Sequence, residues 1–324
     1  MLKAQSLGWL IDHPPPEVKS LWGNALLPRR GLTLLHSASK QGKSMLALNL
    51  ALAGAAGLPH YLGFPIESTF TTFVLQGEIH LRGVWERASQ MIRTMGATLP
   101  SEAINRVIVN EERTLRLAQS EMWDEFREVV RWLRPDLVIL DPFAHVLTED
   151  ENSNVIVGKI LEKIAELRDD PGCAILLVHH DGKPSESTSS RQPRQRSRGA
   201  DRLNADPDSI LSLVPLRRPK GSGPLSRLEP VSRYGRSVDS FDVALNEDTL
   251  WFERATQEDT EDFDIAIASL VPPGGCSEQE LLRAFNTVKG YSDGRLRQAR
   301  SAFAEAVGQG ILQVEHGVVR KKEE

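Results

Sequence analysis

The sequence predicts an α/β fold, a parallel sheet covered by helices on both faces, and three observations carry the prediction. Residues 137 to 140 (LVIL) and 174 to 178 (AILLV) are apolar throughout, as strands buried on both sides must be. Segments of helical periodicity separate such runs, as in Met122, Phe126, Val129, Val130 and Leu133. The first strand of the series, residues 31 to 36, runs through a short loop into an Ala/Leu-rich helix over residues 43 to 57. Strands alternating with helices form parallel βαβ units.

Each element follows in order. Residues 1 to 30 are Pro-rich and end in LWGNALLPRR, which reads as an irregular N-terminal arm. A core spans 31 to 256. Within it, strand 69 to 76 (TFTTFVLQ) precedes a helix over 81 to 95 and a short strand at 107 to 110. A helix over 155 to 168 leads to the apolar strand at 174. Residues 181 to 199 (DGKPSESTSSRQPRQRSRG) break the pattern, because almost nothing in them can be buried; they read as a flexible basic loop. Short strands at 209 to 216, 226 to 231, 238 to 245 and 249 to 252 suggest an antiparallel extension of the sheet. An acidic linker at 257 to 263 introduces a last segment, 264 to 324. It reads as a helix (265 to 270), a second helix opened by the capping-box pair Ser277 and Glu280, a third over 294 to 308, and a hairpin turning at His316-Gly317. Three helices and a hairpin suggest a small winged-helix-like domain, whose third helix would offer Lys289, Arg295, Arg297 and Arg300 to a groove.

Composition narrows the function. A chain of 324 residues has room for a large core and a small second domain. Its net charge of −5 argues against binding nucleic acid through bulk positive charge, so such contacts must come from local patches. No apolar run reaches the roughly 20 residues that span a bilayer, and the first residues lack the apolar stretch of a signal peptide. Cys173 and Cys276 stand far apart with no metal-ligand spacing. A cytoplasmic protein fits these features.

Between strand and helix lies SASKQGKS, residues 37 to 44, which matches the phosphate-loop pattern G-x-x-x-x-G-K-[ST] at every fixed position but the first, where Ser37 stands. The pattern needs a tight turn that converges backbone N–H groups on phosphate oxygens at a helix N-terminus. Gly42 supplies the conformational freedom, Lys43 would reach the β- and γ-phosphates, and the Ser44 hydroxyl would ligate Mg²⁺. The expected nucleotide-binding set is Ser37, Ala38, Ser39, Lys40, Gln41, Gly42, Lys43, Ser44 and Met45, with ATP and Mg²⁺ as ligands.

Asp141 ends an apolar strand, where a carboxylate emerges beside the metal of a phosphate loop; alone, it would read as a turn residue. Glu78 follows a strand in Gln76-Gly-Glu78 and could polarise an attacking water, or be an exposed loop glutamate. His179 and His180 end another strand, so at least one faces the same crevice, where it could sense phosphate or be structural; zinc is disfavoured because no partner stands at metal spacing. In the basic loop, Lys183, Arg191, Arg194, Arg196 and Arg198 stand in a stretch, 183 to 198, whose single acid is Glu186. They could contact DNA phosphates, supply a finger to a neighbouring subunit's nucleotide, or belong to a solvated connector. Arg198 is set apart because Arg198-Gly199-Ala200 marks the return to folded structure.

This ordered set resembles the RepA-like branch of RecA-type ATPases, which includes plasmid replicative hexameric helicases. The resemblance rests on SASKQGKS, on QGE at 76 to 78 followed by a helix bearing Arg82 and Arg87, and on ILDPFAHVLTEDENSN from 139 to 154. It continues through LLVHHDGK from 176 to 183 and RGADRLNADPDSIL from 198 to 211, covering residues 20 to 255. It implies a RecA-like core, Lys43 and Ser44 on phosphate and metal, Glu78 as base, Asp141 on Mg²⁺, His179 or His180 as sensor and Arg198 as finger. It also implies a homo-oligomer, a ring of six with each site at a subunit boundary. Two functions remain open: a motor that pulls single-stranded DNA, or an ATP-gated regulator or loader whose tail reads duplex DNA or docks on protein.

Overall fold

The structure is a computed structural model that describes residues 4–14, 19–95, 102–110, 116–146, 154–181, 202–216, 223–235, 237–256, 263–288, 296–315 and 317–322. The chain divides into two compact units, one of residues 1–216 with 223–254, the other of 217–222 with 255–324.

The larger unit opens with helix α1 (Leu7–Asp12), capped by Ser6, whose hydroxyl accepts from Trp9 N at 3.1 Å. A hairpin follows, β1 (Ser20–Trp22) against β2 (Leu27–Pro28). This corrects the expected irregular arm over residues 1 to 30. Leu21, Trp22, Leu26 and Leu27 are buried in the same cluster as the sheet and the first long helix, so the segment from Ser20 belongs to the core. Apolar side chains in a two-stranded hairpin this short leave no readable period, which is why the sequence resembled loop.

The main chain then runs β3 (Leu32–Ser37), α2 (Lys43–Ala56), a small hairpin of β4 (His60–Tyr61) and β5 (Phe64–Pro65), β6 (Thr72–Gln76) and α3 (Leu81–Met95). It continues through β7 (Val107–Val109), α4 (Ser120–Leu133), β8 (Leu137–Asp141), α5 (Phe143–Val146), α6 (Asn154–Asp169), β9 (Ala174–His180), α7 (Arg202–Ala205) and β10 (Ser209–Leu216). Strands β11 (Leu225–Ser232), β12 (Phe241–Leu245) and β13 (Phe252–Arg254) complete the unit. One nine-stranded sheet results, in the order β13-β12-β11-β10-β3-β9-β8-β6-β7. Pairing from β10 to β7 is parallel throughout, and β11 to β13 add an antiparallel edge, as the sequence predicted.

Strict alternation assigns each strand residue to a face. Leu35, Val74, Leu137, Ile139, Leu176 and Val178 pack with α2, while Leu34, Phe73, Leu75, Val138, Leu140, Ile175 and Leu177 pack with α4 and α6. A slip of one residue in any strand would exchange these sets, and each misplaced aliphatic side chain forfeits about 1.5–3 kcal/mol of burial. Gly54 allows α2 to lie close to the segment that leads into β6, because a Cβ there would fall 1.9 Å from the Phe70 ring.

The smaller unit runs α8 (Phe263–Ser269), β14 (Cys276–Ser277), α9 (Glu278–Val288), α10 (Leu296–Gly308), β15 (Leu312–Glu315) and β16 (Val318–Lys321), with a three-stranded sheet in the order β14-β16-β15. Ile267, Leu281, Leu282, Phe285, Ala299, Ala302, Leu312 and Val319 form its core. The capping box is formed: Ser277 Oγ accepts from Glu280 N at 3.3 Å, and the Glu280 carboxylate accepts from Ser277 N at 2.9 Å. The Ser277 N–H, and after it the Ser277 hydroxyl at 2.8 Å, donate to the Glu280 carboxylate and hold it below its usual range. No helix among the described residues is long and apolar enough to cross a membrane.

Candidate nucleotide site

Four strands of the larger unit end at one edge with a polar residue on the α2 face: Ser37 on β3, Gln76 on β6, Asp141 on β8 and His180 on β9. Their parity with Leu35, Val74, Ile139 and Val178 puts them there. The loop from Ala38 to Gly42 crosses this edge and enters α2 at Lys43. Gly42 is left-handed at φ 81°, and so is Lys40 at φ 63°; the sequence singled out only the first. A second constraint also requires glycine at 42, since a Cβ there would meet the Phe252 ring at 2.8 Å. No side chain caps the first turn of α2, which leaves its amides and the positive end of its dipole turned to the loop.

Lys43 is buried, and its ammonium folds back onto the loop. It donates to Ser37 O at 3.0 Å, Ala38 O at 3.0 Å, Ser37 Oγ at 3.1 Å and His180 Nδ1 at 3.1 Å. Ser37, where the pattern has glycine, thus contributes both its carbonyl and its hydroxyl. Burial lowers the Lys43 pKa to about 8, against the opposing pull of Asp181, Asp141 and Glu78.

Asp141 is buried beside Ser44, whose side chain hydrogen-bonds to it. Burial raises its pKa, partly offset by the bonds from Ser44 and from Gln76, whose Nε2 donates to Oδ2 at 3.0 Å. The same Gln76 side chain turns its Oε1 to the next loop, accepting from Glu78 N at 2.8 Å and Ile79 N at 3.2 Å. Its own main-chain N–H donates to Asn110 Oδ1 at 2.6 Å. Gln76 therefore ties the carboxylate of β8 to the loop that carries Glu78, a role the sequence reading missed. Glu78 is exposed at the rim, close enough to raise the pKa values of both Lys43 and Asp141.

A cavity of about 20 Å³, room for one water-sized occupant, lies behind this edge between Ser44, Gln76, Arg87 and Asp141. The Ser44 hydroxyl and the Asp141 carboxylate side by side are hard oxygen donors, the ligand type that magnesium takes. His179 lies on the other face of the sheet, fully buried, with its ring 6.3 Å from that of Phe143. Only His180 of the pair shares the face of the phosphate loop. Arg198, Lys183, Arg191, Arg194 and Arg196 lie outside the described residues, as do Lys289 and Arg295. Arg297 and Arg300 are carried by α10, with Arg300 exposed.

Known proteins share this architecture. The RadB recombinase superimposes with a TM-score of 0.50 at 18% identity, over 71% of this chain and 93% of its own. A KaiC-like protein of Pyrococcus horikoshii OT3 gives 0.51 at 12% identity, over 75% of this chain and all of its own. A third solved structure, an ATPase domain, gives 0.51 at 14% identity, over 77% of this chain and 96% of its own. These likenesses establish a RecA-like P-loop fold for the larger unit. The profile of the AAA domain family matches residues 1–186, which hold the phosphate loop, Glu78, Asp141 and His180, and the chain belongs to that family.

Proposed function

We propose that this protein is an ATP-hydrolysing motor that acts on DNA, an oligomeric RepA-like helicase of a plasmid or other mobile element. The observation that carries the nucleotide part is the convergence of Lys43, Ser44 and Asp141 at one sheet edge, with Glu78 at its rim. Lys43 would exchange the loop carbonyls for β- and γ-phosphate oxygens, and the amides from Ala38 to Met45 would cradle the rest of the triphosphate. Ser44 and Asp141 would hold Mg²⁺, which supplies neutralisation of phosphate charge when bound. Glu78 would orient and deprotonate the attacking water, with Gln76 fixing its loop. His180, in contact with Lys43, would sense the γ-phosphate, and Arg198 would reach the site of a neighbouring subunit in a ring of six.

The DNA part rests on the sequence: the arginines between 182 and 201, and the resemblance to RepA-like proteins. Single strands would be gripped by the core. A second reading, an ATP-gated regulator or loader, draws on the smaller unit. Its helix–strand–helix–helix–hairpin order and exposed Arg300, Arg320 and Lys321 suit a winged-helix contact with duplex DNA.

ATPase assays with and without single-stranded DNA, beside strand displacement and native mass with a non-hydrolysable analogue, separate the readings. The motor is stimulated by single strands, whereas the regulator binds duplex and turns over slowly regardless. Lys43→Ala abolishes turnover, and Glu78→Gln keeps nucleotide binding while losing about 10²–10⁴-fold in rate. Full activity in Glu78→Gln would assign the base elsewhere.

A further inference from the structure

Three polar side chains cross adjacent strands at the same edge of the sheet, on the face away from α2. His36, buried on β3, stands between Ser212 of β10, with Nε2 2.7 Å from its Oγ, and Asp181 after β9, with Nδ1 2.7 Å from its Oδ1. A carboxylate only accepts, so Nδ1–H donates to Asp181, while Nε2 pairs with the Ser212 hydroxyl. Serine, histidine and carboxylate in this order resemble a nucleophilic triad. Ser212 is only 2% exposed within β10, however, where no substrate reaches its hydroxyl. The other end of the network is Asp181.

Asp181 is held twice. Its side chain is fixed by His36, and its main-chain N–H donates to Ser37 O at 2.9 Å, an oxygen that also receives Lys43. Its neighbour His180 faces the opposite side of the sheet, where Nδ1 meets the Lys43 ammonium at 3.1 Å. Leu32 and Leu34, the residues of β3 that share the face of His36, are aliphatic. An imidazole in that row is costly to bury unless both nitrogens are satisfied, as they are here.

We propose that His36 is a positioning residue of the nucleotide site: with Ser212 it clamps Asp181, and the clamp holds the adjoining His180 ring against Lys43. The inference rests on the assignment of His180 to the phosphate-facing edge of an ATPase. A ring released from such a clamp drifts, and displacement by about 1 Å costs up to about 100-fold in rate.

A double-mutant cycle in the full chain tests it, with kcat and KM for ATP and calorimetric ADP affinity as readouts. His36→Ala should lower kcat by roughly 10- to 100-fold, with ADP affinity held within about threefold. His180→Ala should lose at least as much. The pair should be no slower than His180→Ala alone, because the clamp acts only through that ring. Asp181→Asn, which keeps the acceptor for Nδ1–H, should restore most of the activity that Asp181→Ala loses. Should His36→Ala not fold, Ser212→Ala enters the same cycle. Multiplicative losses in the pair, an unaffected His180→Ala, or equal damage from Asp181→Asn and Asp181→Ala would each overturn the clamp. An inactive wild type, or a Lys43→Ala variant as active as wild type, would instead overturn the ATPase assignment on which it rests.

Discussion

Replacing Gln76 by leucine removes the side chain that links the Asp141 carboxylate to the Glu78 loop, and its cost can be worked from the contacts. Asp141 Oδ2 loses a donor at 3.0 Å in a buried setting, a bond to a charged group worth about 1.5–3 kcal/mol. The amides of Glu78 and Ile79 lose an acceptor at 2.8 Å and 3.2 Å, but both residues keep access to water, so that loss adds only about 1 kcal/mol. The total is roughly 3 kcal/mol. For a unit of this size each kcal/mol moves Tm by about 2–4 °C, which predicts a drop of roughly 6–12 °C in scanning calorimetry. Activity should fall further than stability. With its loop untied, Glu78 no longer stands in one place, and kcat at a temperature well below Tm should drop by at least about 10-fold. Gln76→Glu discriminates the two halves of the tie: it keeps an acceptor for the loop amides but sets a second carboxylate against Asp141, and should bind Mg-nucleotide differently while holding the loop. If Gln76→Leu melts with wild type and turns over at the wild-type rate, the tie has no function and the geometry of this edge has been misread.

Other outcomes follow from single contacts. Gly42→Ala combines a left-handed φ of 81° with a Cβ that meets Phe252 at 2.8 Å, so nucleotide affinity should collapse with the loop's conformation. Adding Phe252→Leu should recover only part of it, because the dihedral penalty remains, and titration of nucleotide into both variants checks this. Cys173 is fully buried and its thiol is pushed up to about 12, so at pH 8 it is almost entirely protonated and inert. Cys276, half-buried and raised by burial and Glu280, should take the single alkyl group that mass spectrometry detects on the native chain. A second adduct should appear only in denaturant; native labelling of Cys173 at the same rate would contradict its burial.

Much of the fold was legible because burial on both faces writes itself into composition. The runs at 137 to 140 and 174 to 178 could only be interior strands, and β8 and β9 occupy them. What escaped lay where elements are too short to carry a period. The β1–β2 hairpin has three residues on one side and two on the other, and its Pro28 reads as punctuation. Its content still held a signal. Leu21, Trp22, Leu26 and Leu27 within seven positions are more apolar surface than a solvated arm carries, and the structure buries all four. Composition could have placed that segment in the core without naming its shape.

The two histidines show how far the site itself could have been resolved. At 179 and 180 the sequence left both in play, yet the strand they end is buried on both sides, so they must point to opposite faces. Counting back along β9, His180 shares parity with Val178 and Leu176, and on β8 Asp141 shares parity with Ile139 and Leu137. Both sets join the core of α2, the helix that the phosphate loop opens. Parity alone thus selects His180, provided the register of β9 against β3 and β8 is known, and register is a tertiary fact that one strand's sequence does not contain. Gln76 and His36 were hidden for the complementary reason. Each is an ordinary polar residue at a strand end, and its meaning lies in partners 65 and 145 positions away, Asp141 and Asp181. A chemistry shared across strands is readable in sequence where a loop concentrates it, as at 37 to 44, and unreadable where the sheet assembles it from separate segments.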